Sequence, residues 1–81
     1  MDYLKEIEAI ILYLEEHLPS AAEQLKDRYY HSFTSSELLM SCVNFLLQIH
    51  PGVNLETKTK ILELRDFCNS IGLFPGQSIR I

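Results

Sequence analysis

Tryptophan is absent from these 81 residues, and glycine and proline number only three each. The chain-breakers cluster at Pro19, Pro51-Gly52, Gly72 and Pro75-Gly76, so long stretches run uninterrupted between them. Cysteine is nearly absent too. Cys42 and Cys68 stand alone, without a CxxC pair, in a chain that would carry more bridges if it were a small secreted scaffold. Two buried thiols in a reducing cytoplasm is the expectation, with a Cys42–Cys68 bridge as the alternative. The N-terminal segment is acidic where a signal peptide would be basic, so no such leader is expected. The uncharged run from Leu38 to Ile49 is twelve residues, too short to span a bilayer and suited to a buried helix. These features predict a soluble cytoplasmic protein without a membrane span.

Cations are scarce where acids are dense. Asp2, Glu6, Glu8, Glu15 and Glu16 face a single cation, Lys5, within the first sixteen residues. Five of the eleven acids and one of the seven cations lie there, so six of each remain and the net charge of −4 belongs to the first helix. A pI of 5.2 disfavours nucleic acid and anionic membranes, both of which need a Lys/Arg surplus. With 47% hydrophobic and 22% charged residues the chain is globular, and its length supports one domain near the practical lower limit.

The expected fold is all-α, a compact four-helix bundle over residues 1–73 with a short C-terminal tail over 74–81. Helix 1 is placed from about Asp2 to Leu18, with Leu4, Ile7, Ile11, Leu14 and Leu18 as its inner line and Pro19 as its stop. Ser20 with Glu23 reads as a capping box for helix 2, whose inner face is Ala21, Ala22, Leu25 and Tyr29. Thr34 with Glu37 opens helix 3, which runs to His50 and is apolar nearly all round. That pattern predicts a central helix, with surplus apolar surface that a homodimer would cover. Helix 4 starts after Asn54, runs to Ile71 with Ile61, Leu64, Cys68 and Ile71 inside, and stops at Gly72-Leu73 in a Schellman turn. The tail either packs through Phe74, Ile79 and Ile81 or frays.

No chemistry-bearing constellation stands out. His17, His31 and His50 lack the i, i+3 or i+4 spacing of helical metal ligands, and each falls near a helix C-terminus where the dipole suits it. Cys42 lies in the least polar stretch, which makes a thiol inert. There is no GxSxG elbow and no Gly-rich phosphate loop. Glu15 and Glu16 are adjacent and diverge on a helix, so they form no shared-proton dyad. The sequence therefore predicts neither an enzyme nor a cofactor or metal.

What remains is a surface. Asp2, Glu6, Ala9, Tyr13 and Glu16 form one continuous stripe along helix 1, with Tyr13 offering contact area among acids that accept charge-assisted bonds. Tyr29-Tyr30 is a second candidate, since adjacent tyrosines cannot both face the core. Asp2, Glu6, Tyr13, Glu16 and Tyr30 are the expected partner-binding residues, and a basic protein is the expected partner. The alternative is a helix-turn-helix DNA regulator built from helices 3 and 4, with Lys58 and Arg65 on phosphates, although helix 4 is nearly charge-balanced.

From Ser36-Glu37-Leu38-Leu39 through Val53-Asn54-Leu55-Glu56 to Phe67-Cys68-Asn69-Ser70-Ile71-Gly72-Leu73, a polar-capped apolar helix leads through a short loop to a final helix ending in Gly-Leu. In this order, and in size and charge, the chain resembles the small acidic all-helical immunity proteins of bacterial polymorphic toxin systems, including the Maf-type immunity family. The resemblance implies an immunity protein or antitoxin that binds and blocks a nuclease toxin. Tyr30-His31-Ser32-Phe33 stands where that family has a His-Gly-Glu type turn, and the likeness carries over no functional residue.

Overall fold

Ile7, Ile10, Ile11 and Leu14 follow the i, i+3, i+4, i+7 spacing that puts apolar side chains on one helical face, and all four are buried on α1 (Tyr3–His17). The structure is a computed structural model that describes residues 2–74. The Asp2 side chain accepts the Lys5 N–H at 3.2 Å and caps this helix. The inner line differs from the sequence expectation at both ends. Leu4 and Leu18 are partly exposed, and Ile10 takes their place in the core. The reason is that α1 is flanked on both sides along its middle, which widens the buried stripe there and leaves its ends less covered.

Leu18 alone links α1 to α2 (Pro19–Tyr30): its N–H donates to the Leu14 carbonyl at 2.7 Å and its carbonyl accepts from the Ala22 N–H at 3.0 Å. Ser20 is therefore inside the helix and is not its cap. Pro19 occupies the first helical position, where its fixed φ is pre-set and its missing N–H costs nothing. Thr34 caps α3 (Ser35–Ile49) by accepting the Glu37 N–H at 3.1 Å, and Glu37 accepts back from the Phe33 N–H at 2.7 Å. His50–Gly52 then form a 3₁₀ turn, so α3 ends one residue before His50. Asn54 caps α4 (Leu55–Ser70) through the Thr57 N–H at 2.9 Å.

The helices pack as a ring, α1 on α2, α2 on α3, α3 on α4, and α4 back on α1. Cross-links run in opposite senses along each pair that includes α1. Glu15 meets Lys26 and Glu8 meets Tyr29, while Tyr13 meets Asn54, Glu6 meets Lys60 and Tyr3 meets Phe67. Both neighbours of α1 are therefore antiparallel to it. The expectation of a central α3 is corrected: α3 is one of four corners. Its buried face is Leu39, Cys42, Val43, Phe45 and Leu46, and Leu38, Met40, Leu47 and Ile49 are mostly covered. The apolar surplus that motivated a homodimer through α3 is thus absorbed within the bundle. Arg28 joins α2 to α3, donating to the Ser41 carbonyl at 3.0 Å and lying 5.2 Å from the Phe45 ring centre.

The end of α4 matches the Schellman expectation. Gly72 has φ +88°, the Leu73 N–H donates to the Cys68 carbonyl at 2.8 Å and the Gly72 N–H to the Asn69 carbonyl at 3.2 Å. Leu73 packs against the core while Ile71, expected inside, is half exposed because it already belongs to the turn. Phe74 is exposed, and the remaining tail residues, Ile79 and Ile81 among them, lie outside the described residues. Cys42 and Cys68 are free and fully buried. Among the described residues no helix is long and apolar enough to cross a membrane.

Gly72→Ala should lower unfolding free energy by about 1–2 kcal/mol, because a Cβ disfavours positive φ. Gly52→Ala, at ordinary φ with open space around it, is the matched control and should change stability by less than about 0.5 kcal/mol. Urea unfolding monitored by far-ultraviolet circular dichroism distinguishes the two.

Candidate functional site

The acids of α1 divide into two sets according to which neighbour their flank meets. On the α4 side, the Tyr13 Oη accepts the Asn54 N–H at 3.1 Å, so this phenol pins α1 to the first turn of α4. About two turns earlier on α1, Glu6 Oε1 is buried without a hydrogen bond and is answered by Lys60 Nζ at 3.6 Å. Tyr3 stacks on Phe67 at 5.7 Å between ring centres and completes this seam. Glu6 and Tyr13 therefore have structural partners, contrary to the reading of one free outer stripe. Asp2 and Glu16 do lie on the exposed surface, with Glu16 3.9 Å from His17 at the end of the helix.

On the α2 side, Glu8 Oε2 accepts the Tyr29 hydroxyl at 2.7 Å, and Glu15 Oε2 accepts from Lys26 Nζ at 2.7 Å. Burial and the Glu8 carboxylate together push the Tyr29 phenol up to about 12. The question of which tyrosine faces outward is thereby answered. Tyr29 is half-buried and bonded to α1, whereas Tyr30 is 70% exposed and meets the Tyr29 ring edge-on at 5.0 Å. Leu12, which the sequence reading passed over, is 65% exposed on the same side of α1. Its helical position, displaced by more than a right angle from the Ile7–Leu14 line, was the signal available in sequence.

Along the α1–α2 seam runs a shallow groove of about 360 Å³ lined by Glu8, Ile11, Leu12, Glu15, Lys26 and Tyr30. A second concavity of about 600 Å³ lies at the end of the bundle, between the Leu18-Pro19 corner and the 3₁₀ turn, with Gln24 and Gln48 on its walls.

The remaining candidates have ordinary structural surroundings. His17 closes α1, His31 caps α2 with Nδ1 2.8 Å from the Asp27 carbonyl, and His50 caps α3 with a buried Nε2 that meets no hydrogen-bond partner among the described residues. Among the described residues no three His, Cys, Asp or Glu side chains converge to hold a metal ion. On α4, Arg65 donates twice to its neighbour Asp66, at 3.0 and 3.3 Å, which neutralises one of the two cations a DNA-reading helix would use. Burial raises the Cys42 thiol to about 11 and moves Cys68 in the same direction.

No protein-family model, curated protein or solved structure matches this chain.

Tyr13→Phe should destabilise the fold by about 1 kcal/mol, because the Asn54 N–H loses its acceptor while the ring stays in place. Above neutral pH, stability should hold to about pH 9 and then fall. The unfolded thiol of Cys42 ionises from its ordinary value of 9.0, whereas the folded one retains its proton to about 11. Between those values the native state binds more protons than the unfolded state, so raising the pH favours unfolding. The Tyr29 phenol extends the same trend from 10.0 to about 12. Urea midpoints measured from pH 7 to 11 test this, and the native thiols should resist Ellman's reagent at pH 8.

Proposed function

We propose that this protein is a non-enzymatic protein-binding module of the cytoplasm, most concretely an immunity protein or antitoxin that binds and occludes a basic nuclease toxin. The observation that carries the reading is the distribution of charge. The net −4 resides on α1 together with its cap Asp2, and with Glu6 committed to Lys60 this segment still presents Asp2, Glu8, Glu15 and Glu16 at the surface beside two exposed apolar side chains, Leu12 and Tyr30. Exposed acids speed encounter with a cationic protein and orient it, while large apolar groups amid polar ones supply contact area once it arrives. The family resemblance in helix order agrees with this and supplies the toxin as partner. Two features weigh against catalysis: both thiols are buried on α3 and α4, away from this face, and Asp2, Glu15 and Glu8 each engage a single backbone, Lys or Tyr partner.

The test is inhibition at stoichiometry. A toxin domain encoded beside this chain's gene, purified and assayed for nuclease activity, should lose that activity on addition of one equivalent of the protein. Its association rate should fall steeply as salt rises from 50 to 500 mM, a range over which the screening length shrinks from roughly 14 to 4 Å. Full toxin activity in the presence of excess protein would refute the reading.

A further inference from the structure

The groove between α1 and α2 has features that a merely solvated helix pair would not need. Its floor is Ile11, and its walls are Leu12 and Tyr30, two of the more exposed large apolar side chains among the described residues. Neither wall is covered by any described segment of the chain. Both acids that rim it, Glu8 and Glu15, come from α1. Among the described residues the only cation on the rim is Lys26, clasped by Glu15 at 2.7 Å, whose carboxylate, with a smaller contribution from Glu23, holds its ammonium above the ordinary range. Two rim carboxylates against one ammonium leave this strip with a surplus of negative charge around an apolar track.

We infer that this groove is the docking site for an amphipathic helix of a cationic protein, whose apolar line seats between Leu12 and Tyr30 and whose Arg or Lys side chains engage Glu8 and Glu15. The occupant follows from complementarity of two kinds. An apolar track bordered by acids fits a helix with apolar anchors at i, i+3 or i+4 and i+7 flanked by cations. Lys26 then acts as a placeholder, occupying the Glu15 carboxylate that an incoming guanidinium would bind in bidentate fashion. Glu8 is pre-oriented by the Tyr29 hydroxyl, which engages its Oε2. This inference rests on the basic-partner reading above and narrows it to one face and one shape of ligand.

The experiment titrates the full ¹⁵N-labelled chain with an Arg/Lys-rich helical peptide carrying leucines at i, i+4 and i+7, and with a scrambled peptide of identical composition. The patterned peptide should shift the amides of Glu8, Leu12, Glu15, Lys26 and Tyr30 and bind at least about tenfold more tightly than the scrambled one, the equivalent of one well-placed apolar anchor. Leu12→Ser and Tyr30→Ser alter exposed side chains, so the fold should persist by circular dichroism while affinity falls about fivefold or more. Lys26→Gln should instead tighten binding by roughly threefold, because Glu15 is released. Equal binding of both peptides would overturn the inference. So would shifts confined to Asp2 and Glu16, or no binding by either peptide at low salt. Toxin inhibition is scored separately, so a failed groove together with retained inhibition would leave the basic-partner reading standing.

Discussion

The closure of α4 onto α1 is the constraint on which the rest of the structure depends. Three helices in sequence could pack as an open sheet of cylinders, with α1 covered on one flank only. The Tyr13–Asn54 hydrogen bond, the Glu6–Lys60 pair and the Tyr3–Phe67 stack bring the last helix back to the first and close the ring. Closure seals Ile7, Ile10, Ile11 and Leu14 against Ile61, Leu64 and Cys68 in one core. It also determines which acids remain available. Once one flank of α1 is committed to α4, the surface left for a partner lies on its solvent face and along α2.

That division changes the meaning of the charge on α1. A row of acids on one helix has two possible roles, and the fold assigns both. Glu6 serves the interior seam, where its buried oxygen needs Lys60 to offset its desolvation. Glu8 and Glu15 fasten α2 and at the same time rim an open groove. Asp2 caps the helix and Glu16 lies exposed at its far end, beside His17. A helix that is held on both sides presents its remaining face rigidly, which lowers the ordering cost of binding.

Much of the fold was legible in the residues. Helix number and order, the Thr34 and Asn54 caps and the Gly72-Leu73 stop depend on local hydrogen-bond chemistry within a turn, and each is found in place. The Leu18-Pro19 corner was not legible, because Ser20 offered a plausible cap and only the packing of α1 against α2 makes a one-residue link favourable. The position of α3 was also misjudged. A helix rich in apolar residues can satisfy them with two neighbours and a 3₁₀ turn, so composition alone does not make it central. For the candidate site the helical period placed Tyr13 and Glu6 outside the core line correctly, yet nothing local says that a fourth helix arrives on that flank. Tyr30 emerged as exposed because Tyr29 took the partner on α1.

The central claim is that the acids of α1 are split between closing the ring and facing a partner. Urea unfolding of Glu6→Gln beside Glu16→Gln tests it most directly. Glu6→Gln should lose about 1 kcal/mol of stability, because Lys60 is left without its counter-charge at the seam, while Glu16→Gln should change it by less than about 0.3 kcal/mol. Equal effects from the two substitutions, or a stabilised Glu6→Gln, would mean that α1 carries one undivided acidic face, and the account would fail.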